Sequence, residues 1–161
     1  MFRTLAAGLC LLLSACQPKD AFDPRTVETA AGAALVRAVL ADCPEANDQR
    51  KMCLTLGPQQ AAASEEFLKR FPDLQPRMLP HNRVTVLALN GKPRVLEKSQ
   101  GITTGDLIIL LQINEIKSAG GNYQAIAAWA FKDSLRRRNY TIVTNADGTF
   151  KVEPGAVIEE K

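Results

Sequence analysis

The sequence is poor in the residues that build most metal and catalytic sites. It has one His and four Cys in 161 residues, and the two types do not cluster. A structural zinc site needs about four Cys or His ligands, and a Ser-His-Asp triad needs a histidine beside a nucleophile. His81 lies in the proline-rich stretch Pro80-His81-Asn82 and is interpreted as a surface residue, because the sequence has no nucleophile motif of the GxSxG kind. We therefore predict no catalytic residue, no metal site and no cofactor.

Strong charge and long apolar runs are also missing. The formal net charge is +3, from 20 Lys+Arg and 17 Asp+Glu, which is too small to indicate a nucleic-acid partner. No run approaches the ~20 apolar residues of a membrane-spanning helix. The hydrophobic share of 46% and the charged share of 23% are those of a globular domain, so extended disorder is excluded.

The first sixteen residues, MFRTLAAGLCLLLSAC, have the layout of a secretory signal. Arg3 precedes the uncharged apolar residues 5–13, which are too few to span a bilayer. The segment ends in Leu13-Ser14-Ala15-Cys16, which resembles the lipobox of bacterial lipoproteins. An ordinary secretory site has small residues at −3 and −1, and Leu13 at −3 fits it poorly. The resemblance implies that residues 1–15 are a signal peptide and that Cys16 becomes the lipidated first residue.

This resemblance implies a location. Lipoproteins carry a diacylglycerol on the cysteine sulfur and a further acyl chain, typically palmitate, on its amine, and two chains already hold a protein stably on a membrane. We expect a lipid-anchored, extracytoplasmic protein whose partners are the membrane, through Cys16, and another envelope protein. Gln17 follows the cysteine where an Asp typically retains Gram-negative lipoproteins in the inner membrane. In such a cell the protein would face the periplasm from the outer membrane.

The remaining cysteines predict a disulfide. Cys10 is removed with the signal peptide and Cys16 is consumed by lipid, which leaves Cys43 and Cys53. An even pair in an oxidising compartment favours a structural disulfide. The alternative, a metal-binding pair of thiols, has no partner His or Cys nearby.

Two helices are predicted after a polar tether over residues 16–22. Asp23-Pro24 has the pattern of an N-cap followed by proline at the first helical position, and small apolar residues recur at helical spacing up to about Ala41. A second helix is predicted over residues 59–70 and a connector over 72–83, with the intervening charged residues 45–52 in a loop.

Strands are predicted from Val84 onward. VTVLAL leads into the hairpin signal Asn90-Gly91, residues 106–116 indicate a covered strand, and residues 140–144 and 149–153 flank a further hairpin. In the covered strand, regular alternation puts Glu115 on the same face as Leu111 and Ile113. Residues 154–161, after a proline, are predicted to be a loose tail.

Residues 123–138 admit two interpretations. As a strand, they place Tyr123, Ala125, Ala127, Trp129 and Phe131 on one face. As a helix, they place the basic residues 136–138 at its C-terminus. The Gly-Gly turn before the segment and the hairpin after it favour the strand.

The predicted fold is therefore a single α+β domain over residues 23–153. Its two N-terminal helices pack on one face of a four- to five-stranded antiparallel meander sheet. Residues 108–152, with a Trp-bearing strand and a hairpin, resemble the end of cystatin-like and NTF2-like α+β domains. That resemblance implies a curved sheet that wraps a helix and often leaves a pocket, in enzymes and binding proteins alike.

Three residues are candidates for lining such a pocket: Trp129, Tyr123 and Glu115. A buried Glu115 would have the raised pKa of a general base. The arginines at 136–138 suit either an anionic membrane surface or a charged strand end that resists edge pairing.

The function predicted from these features is a membrane-anchored, non-catalytic binding or scaffolding module. One alternative is a lipoprotein inhibitor or immunity-type protein that blocks a partner enzyme. A second alternative is an NTF2-like enzyme with a pocket carboxylate.

Overall fold

The computed structural model of the protein describes residues 22–47, 49–89, 92–98 and 107–161. The predicted signal peptide and Cys16 lie outside the described residues, as does the predicted turn at Asn90-Gly91.

The described residues form two α-helices, three short 3-10 turns and nine strands. The helices are α1 (Ala30–Asp42) and α2 (Glu65–Leu68). The strands are β1 (Met52–Leu56), β2 (Ala61–Ala62), β3 (Met78–Leu79), β4 (Val84–Leu89), β5 (Lys92–Glu97), β6 (Ile109–Ala119), β7 (Asn122–Phe131), β8 (Ser134–Thr144) and β9 (Phe150–Glu160). Seven strands form one sheet in the order β2-β1-β6-β7-β8-β9, with β3 also paired to β1, and β4-β5 form a separate hairpin.

The predicted α+β class is confirmed, and the sheet is mostly antiparallel. The sheet is larger than the predicted four to five strands, and it is not a simple meander. β1 enters it beside β6 and runs parallel to it, with Met52 opposite Ile109. All five residues of β1 are buried, so the strand lacks the polar-apolar alternation that would have indicated it in the sequence.

Helix α1 begins later than predicted. Asp23 caps a 3-10 turn, Pro24–Thr26, and the N-cap of α1 is Thr29, whose hydroxyl accepts a hydrogen bond from the Gly32 amide at 3.1 Å. A Cβ on Gly32 would lie 1.8 Å from the Val27 carbonyl oxygen, so only glycine lets the 3-10 turn fold back on the helix. The helix ends at Asp42, just before Cys43-Pro44, as predicted.

The second predicted helix, over residues 59–70, is wrong in extent. Residues 61–62 pair with β1 as β2, and α2 occupies one turn after Ser64. Ser64 stops the helix from starting earlier, because its hydroxyl accepts the Phe67 amide at 3.1 Å while its own amide donates to the Glu28 carboxylate at 2.6 Å.

The main core lies between α1 and one face of the sheet. Residues 123–131 are a strand, as the preferred interpretation held, and the predicted face is confirmed. Ala125, Ala127, Trp129 and Phe131 are buried in this core and Tyr123 packs at its margin. A turn at Lys132–Asp133 then starts β8, so the arginines at 136–138 lie in a strand.

The β4-β5 hairpin covers the other face of the sheet at one end. Its residues Val84 and Val95 join a second cluster with Cys53, Ile108 and Leu110. The Glu97 carboxylate fastens the hairpin, since it accepts from Lys51 at 2.5 Å and from Arg83 at 2.7 Å. The pKa of Glu97 is lowered below its usual value, mainly by the hydrogen bond from Lys51 and to a smaller extent by Arg83.

The predicted loose tail is wrong. Residues 154–160 belong to β9, and the Lys161 amide and carbonyl both bond to Leu135, at 2.9 and 3.0 Å. Pro154 predicts the end of the fold, but proline is compatible with an edge strand such as β9. The folded domain therefore continues to the last residue rather than ending at 153.

The predicted disulfide is not formed: Cys43 and Cys53 are both free and buried. Cys43 lies in the α1-side core together with Met52 and Leu54, whereas Cys53 lies in the cluster on the opposite face. Successive side chains of a strand point to opposite faces, so β1 itself separates the two sulfurs.

Both thiols are expected to resist alkylation in the folded protein. Burial raises the pKa of Cys53 to about 12 and also raises that of Cys43, and the thiolate is the reactive form. At pH 8 iodoacetamide should label Cys53 roughly a hundredfold or more slowly than an exposed thiol, such as one introduced by Ser118→Cys. After denaturation without reductant, mass spectrometry should show both cysteines alkylated. A peptide linked through Cys43 and Cys53 would contradict this and restore the disulfide.

Candidate partner-binding edge

Trp129 is a core residue in the structure. Its side chain is 4% exposed, faces α1, and donates from Nε1 to Oδ2 of Asp42 at 3.4 Å. A ligand in a cavity would not reach it without displacing the helix.

Tyr123 lies near the other end of the same strand. It makes an edge-on contact with Phe150, with ring centroids 6.3 Å apart. Six residues of extended strand separate Tyr123 from Trp129, which corresponds to about 20 Å. The two aromatic rings therefore do not line one pocket.

Glu115 lies on the face opposite to Trp129. A β-bulge between Ile113 and Glu115 shifts the register of β6 against β7, so Ile116 packs against the core in place of Glu115. The predicted parity of Glu115 is therefore wrong. Its carboxylate instead pairs with Lys117 Nζ at 2.7 Å on the sheet surface. The three candidate pocket residues do not come together.

The arginine run holds the last strand in place. Arg136 donates from Nε and Nη2 to Oε1 of Glu160, and the distance from Nε is 2.9 Å. Arg137 Nη1 pairs with Oε2 of Glu159 at 3.1 Å. These are cross-strand pairs between β8 and β9. Since β9 covers β8, the arginines neither end an exposed strand nor form an unneutralised basic patch.

Arg138 connects α1 to β9. Its Nη1 donates to Oδ1 of Asp42 at 2.9 Å, and its Nε and Nη2 donate to the Gly155 carbonyl at 3.2 and 2.8 Å. Both charged side chains are mostly buried, which makes these contacts stronger than surface ion pairs. Arg138 thereby fixes the backbone of β9 where its register shifts.

Among the described residues, the outer side of β9 is one open edge of the sheet, and β2 lies at the opposite end. β9 is last in the strand order, and within the described ranges no other strand pairs with its outer side. Residues 153–158 are consecutively exposed. Val157 and Ile158 are 44% and 49% exposed, and they are the exposed large hydrophobic side chains of the described chain.

The register shifts explain why two neighbouring apolar residues both reach solvent. In a regular strand one of Val157 and Ile158 would face the core, whereas the β8-β9 register shifts between Arg137 and Tyr140. Pro154, which lacks an amide donor, and these irregularities limit edge-to-edge pairing over the middle of β9.

The sequence contains a signal for the pairing of β8 with β9. The acidic residues 159–160 complement the basic residues 136–138 at the spacing of an antiparallel pair. Pro154 obscures this pattern, because proline rarely continues a strand inside a sheet.

Comparisons with known proteins add no relative: no family model, no curated protein and no solved structure matches the chain. In the part of the chain that the structure describes, no helix is both long and apolar enough to cross a bilayer. The same residues contain no group of three or more His, Cys, Asp or Glu that would hold a metal ion.

Proposed function

We propose that the protein is a lipid-anchored, extracytoplasmic binding module, which binds an extended segment of another envelope protein along the outer edge of β9. The lipobox at residues 13–16 supports the anchor. The observation that carries the binding role is the exposed segment 153–158 with Val157 and Ile158 on an unpaired strand edge. A scaffolding role follows if the partner is itself fixed in the envelope.

Strand addition suits this edge. A partner strand would bond to the outward-facing backbone groups of residues 156–160, which gives affinity, while side-chain contacts give specificity. Covering Val157 and Ile158 would contribute at most about 1.5–3 kcal/mol for each side chain. Since both are already half-buried, a reversible complex is expected.

Photo-crosslinking in cells tests this proposal. A photoreactive amino acid at Ala156 should give one dominant crosslinked envelope protein, and the same group at the exposed Lys117 of β6 should not. Adding Ile158→Lys to the Ala156 probe should reduce that product at least tenfold, because the lysine places a charge in the apolar contact.

Hydrogen exchange then distinguishes strand addition from mere proximity. With the purified partner, amides of residues 156–160 should gain protection while those of β7 remain unchanged. Equal crosslinking from Ala156 and Lys117, or no protection of β9 by the captured partner, would contradict the proposal.

The second candidate function is a lipoprotein inhibitor that blocks a partner enzyme. The same open edge favours it, because an exposed strand can pair with an enzyme and obstruct its cleft. It requires that the crosslinked partner be an enzyme that loses activity when the protein is added, and that Ile158→Lys restores the activity. The pocket-carboxylate enzyme has no comparable support, since Glu115 and Trp129 lie on opposite faces of the sheet.

A further inference from the structure

A surface cavity of about 520 Å³, wide open to solvent, lies beside the C-terminal half of α1. It is bounded by the helix, by the residues that follow it and by the segment that precedes β3. Apolar and charged side chains share its lining, among them Arg37, Leu40, Ala46, Asp73, Leu74 and Arg77. It is separate from the β9 edge.

One arginine of the cavity is neutralised. Arg37 forms a two-bond pair with Asp73, with both N–O distances 2.7 Å, and its guanidinium lies 5.4 Å from the centre of the Phe71 ring. The Arg37 guanidinium is the main cause that lowers the pKa of Asp73 to about 2. The Asp73 carboxylate is therefore ionised at any physiological pH, and it is already paired with Arg37.

The second arginine forms no ion pair with a carboxylate of the described residues, although its charge also contributes to the lowered pKa of Asp73. Arg77 donates from Nη1 to the Asn47 carbonyl oxygen at 2.8 Å, which orients its guanidinium at the cavity. Across the described ranges, no carboxylate lies within ion-pair distance of it. Among the described lining residues, two arginines and one aspartate leave one net positive charge.

We propose that this cavity binds a small amphipathic anion, with its carboxylate or phosphate group on Arg77 and its apolar part against Leu40, Ala46 and Leu74. The guanidinium fork of arginine matches both anionic groups. Apolar side chains combined with a few oriented polar groups are the usual components of a small-molecule site. The C-terminal end of α1 disfavours an anion, but that field is weak at exposed sites and falls off within the last turn.

Titration of the isotope-labelled full chain tests the site. Hexanoate and hexyl phosphate are the anionic probes, and hexan-1-ol is the neutral one. Amide shifts should move at residues 46–47 and 74–77 for an anion, which should bind at least tenfold more tightly than hexan-1-ol. The tighter of the two anions identifies the preferred head group.

Two variants test the two halves of the site. Arg77→Gln should weaken anion binding at least tenfold and leave hexan-1-ol binding unchanged, whereas Arg70→Gln, an exposed arginine outside the cavity, should have no effect. Ala41→Trp, at an exposed helical position on the cavity wall, should block all three probes without disturbing the core. Absence of anion binding, equal binding of hexan-1-ol, or unchanged affinity in Arg77→Gln would overturn the proposal. None of these results depends on the lipid anchor or on the β9 edge.

Discussion

The Cys16→Ala variant is expected to leave the membrane fraction almost completely and to incorporate no labelled palmitate. Alanine has no sulfur to carry the diacylglycerol, so the variant chain would carry no acyl group. Each buried methylene of such a chain contributes ~0.8 kcal/mol to membrane attachment, so two or three chains dominate the partition. Cell fractionation with an alkaline wash, together with metabolic labelling by an alkyne fatty acid, measures both effects.

Cys10 provides the matched control for this experiment. It lies within the apolar residues 5–13 of the predicted signal peptide. Cys10→Ala should therefore remain labelled and membrane-bound, and the mature protein should begin at Cys16. A Cys16→Ala chain that still carries palmitate, or a native protein that retains its initiator methionine, would refute the lipoprotein assignment.

The Trp129→Ala variant is expected to lose about 3–5 kcal/mol of unfolding free energy, a large part of the stability of a domain this size. The side chain is buried between the sheet and α1, so its removal leaves a cavity in the main core. The substitution also removes the hydrogen bond to Asp42. Urea denaturation followed by far-UV circular dichroism measures the loss, because the variant has no tryptophan for fluorescence.

Two further variants calibrate that measurement. Trp129→Phe retains most of the packing and should cost much less than alanine. Ile158→Ala, on the exposed edge, should change stability by no more than about 0.5 kcal/mol. If the Trp129→Ala protein were as stable as the native one, the ring would not be part of the core. Trp129 would then again be a candidate ligand-binding residue.

Local patterns in the sequence predicted the elements whose boundaries are set by nearby residues. The strand over 123–131 follows from its alternation, and the end of α1 follows from Cys43-Pro44. β1 escaped prediction because both of its faces are buried, which removes the alternation. The second helix was overextended because the capping of Ser64 depends on Glu28, a residue distant in sequence.

The candidate site was less predictable than the fold. Tyr123, Trp129 and Glu115 were grouped by their positions along two strands, but a single bulge in β6 put the glutamate on the other face. Placing a bulge requires the pairing of two strands to be known. The β9 edge was missed for a related reason, since its pairing with β8 depends on ion pairs between separate segments.

The sequence by itself determined the lipobox prediction, because such a motif is read as a linear stretch. It also determined which residues of β7 face inward, because alternation in a strand is a property of neighbouring residues. Only the tertiary structure decided that Cys43 and Cys53 lie on opposite faces, that residues 154–160 pair with β8, and that Arg77 meets Asn47 beside a cavity. These outcomes depend on which distant segments pair and in what register, and the free energy of the whole sheet selects that arrangement.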